Sequence, residues 1–202
     1  MSIAVIDYGA GNLKSVTKAI RHLGFSCQIV SDPSELERFD AMILPGVGAF
    51  PKCMEALRRG GMDQEILTQA KRGKPLLGIC LGMQMLMDSS TELGFSRGLG
   101  LIPGTVERIP TDLKLPHIGW NSLKIVNGNP MTKGLSNGDY VYFVHSFCAE
   151  TTNREDLALT TDYGTEVAAM VAKGNVFGCQ FHPEKSGDVG LIMLKNFGEL
   201  NR

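Results

Sequence analysis

Two short segments, about a hundred residues apart, carry side chains suited to nucleophilic catalysis. In the first, Cys80 stands between Gly78 and Gly82, after an apolar run and before a segment with helical character. Small residues on both sides permit the sharp strand-to-helix turn that holds a nucleophile above a sheet. A thiol at a helix N-terminus also meets the positive end of the helix dipole, which favours the thiolate. The pattern therefore predicts a reactive Cys80 rather than an inert buried cysteine.

The second segment is His182-Pro183-Glu184, which directly follows the predicted strand Val176–Phe181. Extended backbone places residues 182 and 184 on the same side, so the carboxylate can orient the imidazole and select its tautomer. Taken alone, this spacing also fits an incidental surface pair. Together with a cysteine at another strand end, it predicts a Cys80-His182-Glu184 triad.

A glycine-rich turn follows another predicted strand and supplies candidate backbone donors. Gly46, Val47 and Gly48 lie at the edge where α/β sheets gather their ligand sites. Glycine lets the main chain reorient toward a ligand. We expect N–H groups of this turn and of Leu81 to form an oxyanion hole, although a turn of this kind also occurs as a plain strand end.

Hydrophobic periodicity predicts the helices and strands that carry these residues. The first half alternates apolar runs with helical patterns, which predicts parallel βαβ units. The predicted strands are Ile3–Ile6, Cys27–Val30, Ala41–Leu44 and Leu76–Cys80, and the predicted helical stretches are Leu13–Leu23, Pro33–Arg38, Pro51–Arg72 and Met83–Met87. After Gly104 the pattern indicates mixed or antiparallel strands and a closing helix: Tyr140–Phe147, Leu157–Thr161, Val167–Val171, Val176–Phe181, and the helix Val189–Leu200. We therefore expect an α/β fold with one open mixed sheet, a parallel N-terminal half and helices on both faces.

Length and composition bound the remaining possibilities. The 202 residues fit one domain, 1–202, and 43 % hydrophobic residues can bury a core. A net charge of −1 argues against nucleic-acid binding, which needs clustered Lys and Arg. No apolar run approaches the roughly 18 residues of a membrane span, and the N-terminus lacks signal-peptide features. These features predict a cytoplasmic protein without membrane contact.

Metal and cofactor motifs are weak or missing. Five cysteines without a C-x-x-C pair fit neither a full disulfide framework nor a common zinc motif. The Gly9-Ala10-Gly11 turn resembles the start of a dinucleotide fingerprint, but Lys14 replaces its third glycine. We therefore expect neither a metal nor a cofactor.

The chemical motifs occur in the order found in a known enzyme family. With Gly78–Gln84 reading G-I-C-L-G-M-Q and His182–Glu184 reading H-P-E, the chain resembles the class I, or triad, glutamine amidotransferases along essentially its whole length. Further segments resemble the glutaminase subunits of imidazole glycerol phosphate synthases: Asp7–Val16, Leu44–Phe50, Pro116–Asn121 and Val144–Phe147.

This resemblance implies that Cys80 attacks the side-chain amide of glutamine and releases glutamate and ammonia. It implies a partner that uses the ammonia, a (β/α)8-barrel cyclase that makes imidazole glycerol phosphate and aminoimidazole carboxamide ribotide in histidine biosynthesis. The implied substrate contacts are Gln84, Glu92, His145, Ser146 and Phe147. The implied cyclase contacts are Asn12, Trp120 and Lys185.

Structural interpretations of three of these residues stay open at this point. His145 also fits a structural strand histidine, Glu92 a polar loop, and Trp120 a residue that fills the core.

Other functions also stay open. The glutaminases of anthranilate synthase and pyridoxal phosphate synthase share the triad, but their patterns differ from this chain at the Gly46–Gly48 turn and just after the nucleophile, respectively. A stand-alone cysteine hydrolase of the peptidase or glyoxalase-like type keeps the nucleophile and changes the substrate. A non-enzymatic scaffold or nucleotide-binding module rests only on the broken Gly9-x-Gly11 pattern.

Overall fold

Strands supply most of the ordered structure around the reactive segments. The computed structural model describes residues 1–200. Its strands, in chain order, are β1 Ser2–Ile6, β2 Ser26–Val30, β3 Ala41–Gly46, β4 Leu76–Cys80, β5 Met87–Ser90, β6 Ser96–Arg97, β7 Ile102–Arg108, β8 His117–Ser122, β9 Lys124–Ile125, β10 Tyr140–His145, β11 Phe147–Thr151, β12 Leu157–Asp162, β13 Glu166–Lys173 and β14 Val176–Cys179.

The main sheet has eight strands in the order β2-β1-β3-β4-β14-β13-β12-β9. Strands β2 to β14 in this order pair in parallel, and the remaining pairs are antiparallel. The predicted mixed sheet with a parallel N-terminal half is therefore confirmed. Because β14 pairs beside β4, with Cys179 opposite Ile79, the chain that follows β14 emerges next to Cys80.

Helices cover both faces of this sheet, as predicted. They are α1 Leu13–His22, α2 Phe50–Arg59, α3 Met62–Lys71, α4 Leu81–Met85 and α5 Gly187–Gly198. Alternate residues of β1 separate the two cores: Ile3 and Val5 pack with α1 and α5, whereas Ala4 and Ile6 pack with α2, α3 and α4. No helix within residues 1–200 is long and apolar enough to span a membrane.

Some elements differ from their predicted form. The stretch Pro51–Arg72 is two helices, because the chain turns at Gly61, whose φ of +72° favours glycine. The helical stretch predicted at Pro33–Arg38 is a 3-10 helix. The helix after Cys80 ends at Met85, because the chain there enters β5. Strand β2 lies at the sheet edge and is only partly buried.

Two smaller sheets were not predicted. One has the order β11-β7-β5-β6, and the other is a two-stranded ribbon of β8 and β10. The predicted single strand Tyr140–Phe147 is broken at Ser146, so that the chain leaves β10 and pairs with β7 as β11. This break places Ser146 and its neighbours beside the carboxyl ends of the main sheet.

Candidate active site

One cavity of about 400 Å³ opens beside the carboxyl ends of β3 and β4. Apart from Gly46 and Glu184, every residue predicted for the triad, the oxyanion hole or the substrate lines it. The lining consists of Val47, Gly48, Cys80, Leu81, Gln84, Glu92, Pro116, Val144, His145, Ser146, Phe147 and His182. The sequence motifs, although far apart in the chain, therefore meet at one site.

Cys80 occupies a strained turn between β4 and α4. Its φ of 56° and ψ of −112° are unusual for a residue with a side chain, and such strain clusters at functional sites. The turn needs its flanking glycines: a Cβ at Gly82 would overlap the Leu44 carbonyl, and one at Gly78 would overlap the Gly82 backbone. The local structure has the features of a nucleophile elbow.

The His182 ring lies in the cavity wall and is held from behind by Glu184. Nδ1 donates a hydrogen bond to Glu184 Oε1 at 2.9 Å, and the two side chains are 4 % and 0 % exposed. Burial lowers the pKa of His182, but the Cys80 sulfur and the Glu184 carboxylate outweigh it and raise the pKa to about 9.

The Cys80 sulfur raises the pKa of His182, although His182 Nε2 makes no hydrogen bond within the part of the chain that the structure describes. Among residues 1–200, His182 Nε2 and Glu184 Oε2 are buried polar atoms with no hydrogen-bond partner. Nε2 is therefore free to exchange a proton with groups in the cavity.

The glycine-rich turn lies beside the elbow, because Gly46 pairs with Cys80 across β3 and β4. Val47, Gly48 and Leu81 line the cavity, whereas Gly46 lies against the elbow, where a Cβ would approach the Gly82 nitrogen to 2.7 Å. The Cys53 thiol donates a hydrogen bond to the Val47 carbonyl at 3.4 Å. Because burial raises the pKa of Cys53, this thiol stays protonated and holds the turn from behind.

Gln84 joins the elbow to the opposite wall. Its Nε2 donates to the Phe147 carbonyl at 3.0 Å and to Gln180 Oε1 at 2.9 Å. These bonds use both amide hydrogens, so Oε1 is the polar atom of Gln84 left to accept a hydrogen bond from a ligand.

His145 belongs to a chain of hydrogen bonds whose directions are determined. Its Nδ1 faces the Phe147 carbonyl at 2.8 Å and must donate, so its Nε2 accepts from His117 Nδ1 at 3.1 Å. His117 Nε2 then accepts from Asn121 Nδ2 at 3.3 Å. Burial lowers the pKa of both histidines to about 4, which keeps them neutral. Both ring nitrogens of His145 are therefore engaged within the protein, which favours its interpretation as a structural histidine that forms a cavity wall.

Glu92 lies at the cavity edge beside the start of α2. Its Oε2 accepts the Phe50 N–H at 2.8 Å, which fixes the carboxylate and caps the helix N-terminus. A fixed carboxylate at this edge can attract a cationic group in the cavity.

The three residues predicted to contact the cyclase lie on neighbouring elements. Trp120, on β8, is 56 % exposed, so it does not fill the core. Lys185 is exposed in the 3-10 turn Pro183–Lys185, which packs against both α1 and β10. Asn12 immediately precedes α1.

Sequence reasoning missed two polar residues of this network, Gln180 and His117. Gln180 lies in the bend that follows β14, and a glutamine at the end of an apolar run gives no sign of what its amide contacts. His117 lies opposite His145 in the ribbon register, which a single sequence does not reveal. Within residues 1–200, no group of three or more His, Cys, Asp or Glu side chains could hold a metal ion.

Comparison with known proteins agrees with this geometry. The family model for glutamine amidotransferase class-I matches residues 4–199. The chain is 51 % identical over 198 residues to the imidazole glycerol phosphate synthase subunit HisH of Caldanaerobacter subterraneus subsp. tengcongensis, covering 98 % of each chain. It is 50 % identical over 200 residues to the subunit of the same name from Listeria innocua, covering 98 % and 95 % of the two chains.

Solved structures share the fold at lower identity. PurLQS from Thermotoga maritima matches with a TM-score of 0.78 and 23 % identity, over 97 % of this chain and 96 % of that one. A structure described as a glutamine amidotransferase matches with a TM-score of 0.76 and 22 % identity, over 96 % and 98 % of the two chains. The nearly complete family match and the relatives at about half identity lead to one conclusion: the chain belongs to the class-I glutamine amidotransferase family.

Proposed function

We propose that this chain is the glutaminase subunit of an imidazole glycerol phosphate synthase, folded as one domain. The observation that carries the proposal is the shared cavity of Cys80 and His182, with Glu184 hydrogen-bonded to the imidazole at 2.9 Å. The HisH relatives, at 51 % and 50 % identity, support this synthase over anthranilate or pyridoxal phosphate synthase. Hydrolysis of the glutamine side-chain amide is the chemistry that this triad supports.

The first step forms a bond between the Cys80 sulfur and the amide carbon of glutamine. The carbonyl electrons move to oxygen, and backbone N–H groups from the turn Gly46-Val47-Gly48 and from Leu81 stabilise the resulting oxyanion. Loss of a single such donor costs about 3 kcal/mol in other enzymes, so this turn carries a large share of catalysis.

The second step breaks the carbon–nitrogen bond. His182 gives its proton to the amide nitrogen, ammonia leaves, and a glutamyl thioester stays on Cys80. Water, deprotonated by the now neutral His182, attacks the thioester and releases glutamate with the thiol restored. Glu184 stabilises the imidazolium at each stage because its carboxylate faces Nδ1.

Substrate binding uses the opposite side of the cavity. The Glu92 carboxylate, fixed by the Phe50 N–H, attracts the α-ammonium group of glutamine. Gln84 Oε1 accepts a hydrogen bond from the substrate, since the amide hydrogens of Gln84 are already used. His145, Ser146 and Phe147 form the wall.

The cyclase binds the outer face of the β8–β10 ribbon. Ile118 lies opposite Val144, and Trp120 lies opposite Tyr142, so these four side chains share one face. Ile118 and Trp120 are more than half exposed, and an exposed apolar surface of this kind is typical of a binding site. Val144 also lines the cavity, so a partner on this face can receive ammonia directly.

Asn12 and Lys185 extend this contact surface, since the turn that carries Lys185 packs between α1 and β10. The cyclase joins the ammonia to its own substrate and forms imidazole glycerol phosphate and aminoimidazole carboxamide ribotide. The five free cysteines fit the reducing conditions of the cytoplasm, where we place the complex.

A reconstituted complex with a cyclase tests the proposal. In Cys80→Ser, we expect glutamine-dependent synthesis to fall by at least about 10³-fold, while ammonia-dependent synthesis stays at the wild-type rate. Cys148→Ser, at a buried cysteine that does not line the cavity, is the matched control and should retain both activities. Full glutamine-dependent activity in Cys80→Ser would contradict the proposal.

The docking surface has a separate test. Trp120→Ala should weaken cyclase binding about tenfold or more, because exposed tryptophans are frequent hot spots. The thermal stability of the isolated chain should stay the same. Unchanged binding would remove the ribbon from the interface and leave the glutaminase chemistry intact.

A further inference from the structure

We propose that Gln180 stabilises the thiolate form of Cys80 through a direct hydrogen bond from its amide group. The inference rests on the proposed function, because it concerns the same nucleophile. Gln180 Nε2 lies 3.7 Å from Cys80 Sγ, within the range of an N–H···S contact, and Gln180 is 0 % exposed. The Gln180 amide therefore contacts the sulfur from the buried side, away from the cavity opening.

The orientation of the Gln180 amide is fixed by its other end. Gln180 Oε1 accepts a hydrogen bond from Gln84 Nε2 at 2.9 Å, and Gln84 Nε2 also donates to the Phe147 carbonyl. A flipped Gln180 would place its donors against those of Gln84, so the amide N–H must face the sulfur. Two glutamines thus connect the cavity wall to the nucleophile.

The backbone after β14 explains why Gln180 reaches Cys80. Strand β14 runs parallel to β4, with Gly178 opposite Gly78 and Cys179 opposite Ile79, so residue 180 comes next to Cys80 where the two strands end. Gly178 leaves room for Met83 of α4, which a Cβ would approach to 2.7 Å. The chain then bends at Gln180, whose amide contacts the Cys80 sulfur, and His182 follows in the wall of the same cavity as Cys80.

The ionisable groups around the Cys80 sulfur differ in whether they stay neutral or carry charge during the reaction. Burial raises the pKa of Tyr8 and of Cys179, so both stay neutral. Glu184 acts through His182, whose imidazolium stabilises the thiolate but loses its proton during the reaction. The Gln180 amide is a neutral donor that keeps its protons over this pH range, so it stabilises the thiolate whether or not His182 is charged. A buried thiolate needs such a donor because burial without hydrogen bonds is costly.

Alkylation of Cys80 by iodoacetamide measures this effect. The rate is followed from pH 5 to 10 in the full chain, and peptide mass spectrometry identifies the modified cysteine. In Gln180→Met, which keeps the length of the side chain and removes the donor, we expect the half-maximal rate about one pH unit higher than in the wild type. At and below the wild-type midpoint, the rate should then fall roughly five- to tenfold.

A buried glutamine elsewhere provides the matched control. Gln69, on α3, is 2 % exposed and donates to Glu65 at 2.6 Å, and it does not line the cavity. Gln69→Met should keep the wild-type pH profile. If Gln180→Met does not fold, Gln180→Glu, which has the same size, should move the profile further upward because its carboxylate repels the thiolate.

The two proposals fail in different ways. A folded Gln180→Met or Gln180→Glu variant with the wild-type alkylation profile would overturn the role of Gln180 alone. A wild-type Cys80 that reacts no faster than the buried Cys148 would contradict the reactive nucleophile, and with it the proposed function.

Discussion

Two histidines, both buried, border the same cavity but have opposite electrostatic properties. The pKa of His182 is raised to about 9, whereas burial lowers the pKa of His145 to about 4. His182 faces the Glu184 carboxylate and the Cys80 sulfur, but His145 faces a backbone carbonyl and a neutral histidine. The difference shows that the chemical partner, rather than burial, decides which imidazole carries charge.

The two sides of the cavity therefore contribute different properties. The charged side provides a proton that can move between a nucleophile and a leaving group. On the neutral side, His117 and His145 form a chain of hydrogen bonds with fixed directions that ends on the Phe147 carbonyl. This chain joins the β8–β10 ribbon to the cavity wall and keeps the wall in place.

Substitution of each histidine by glutamine should separate these contributions most strongly. We expect His182→Gln to lower glutamine hydrolysis by at least about 10³-fold, because the base and general acid are lost. His145→Gln should lower it only about tenfold, since only the position of the wall changes. The measurement is glutamate release in the complex with the cyclase.

Ammonia-dependent synthesis in the same complexes is the control, and both variants should retain it. Equal losses of glutamine hydrolysis in the two variants would remove the distinction between a charged and a neutral side.

The pH dependence of stability should also differ between the two sides. The unfolded chain binds protons more readily than folded His145, so stability falls by about 2 kcal/mol as the pH decreases from 6.5 to 4. The opposite holds for His182: its contribution is complete below pH 6.5 and is lost as the pH rises toward 9. Urea unfolding of the wild type across this range measures both slopes.

The same two variants show which residue causes each slope. His145→Gln should reduce the acidic slope, part of which remains because burial also lowers the pKa of His117 to about 4. His182→Gln should flatten the alkaline slope only. An acidic slope unchanged in His145→Gln would mean that other groups cause the loss of stability.

Sequence predicted the charged side of the cavity better than the neutral side. Cys80 ends the buried strand β4, His182 comes shortly after the buried strand β14, and parallel strands end at a common sheet edge. Local signals were therefore enough for the parallel half, the elbow and the H-P-E segment.

The neutral side depends on pairing between distant strands. His145 meets His117 only because β10 pairs with β8 in one register, and β11 begins only because the chain bends at Ser146. Apolar side chains of β8, such as Ile118 and Trp120, lie on the exposed outer face of the ribbon. The pattern of apolar residues in β8 therefore differs from that of a strand that buries its apolar face. Gln180 was missed because a glutamine inside an apolar run carries no sign of what its amide contacts.

Nitrogen-15 NMR of the histidine side chains reports the protonation of each imidazole nitrogen, so it distinguishes the charged from the neutral side of the cavity. At pH 7.5 we expect protons on both nitrogens of His182, with a midpoint near pH 9. We expect a proton on Nδ1 alone for His145 and His117, with no titration above about pH 5. In Glu184→Gln the His182 midpoint should move down toward the ordinary value near 6.5. A neutral His182 at pH 7.5 in the wild type, or a charged His145, would contradict the account.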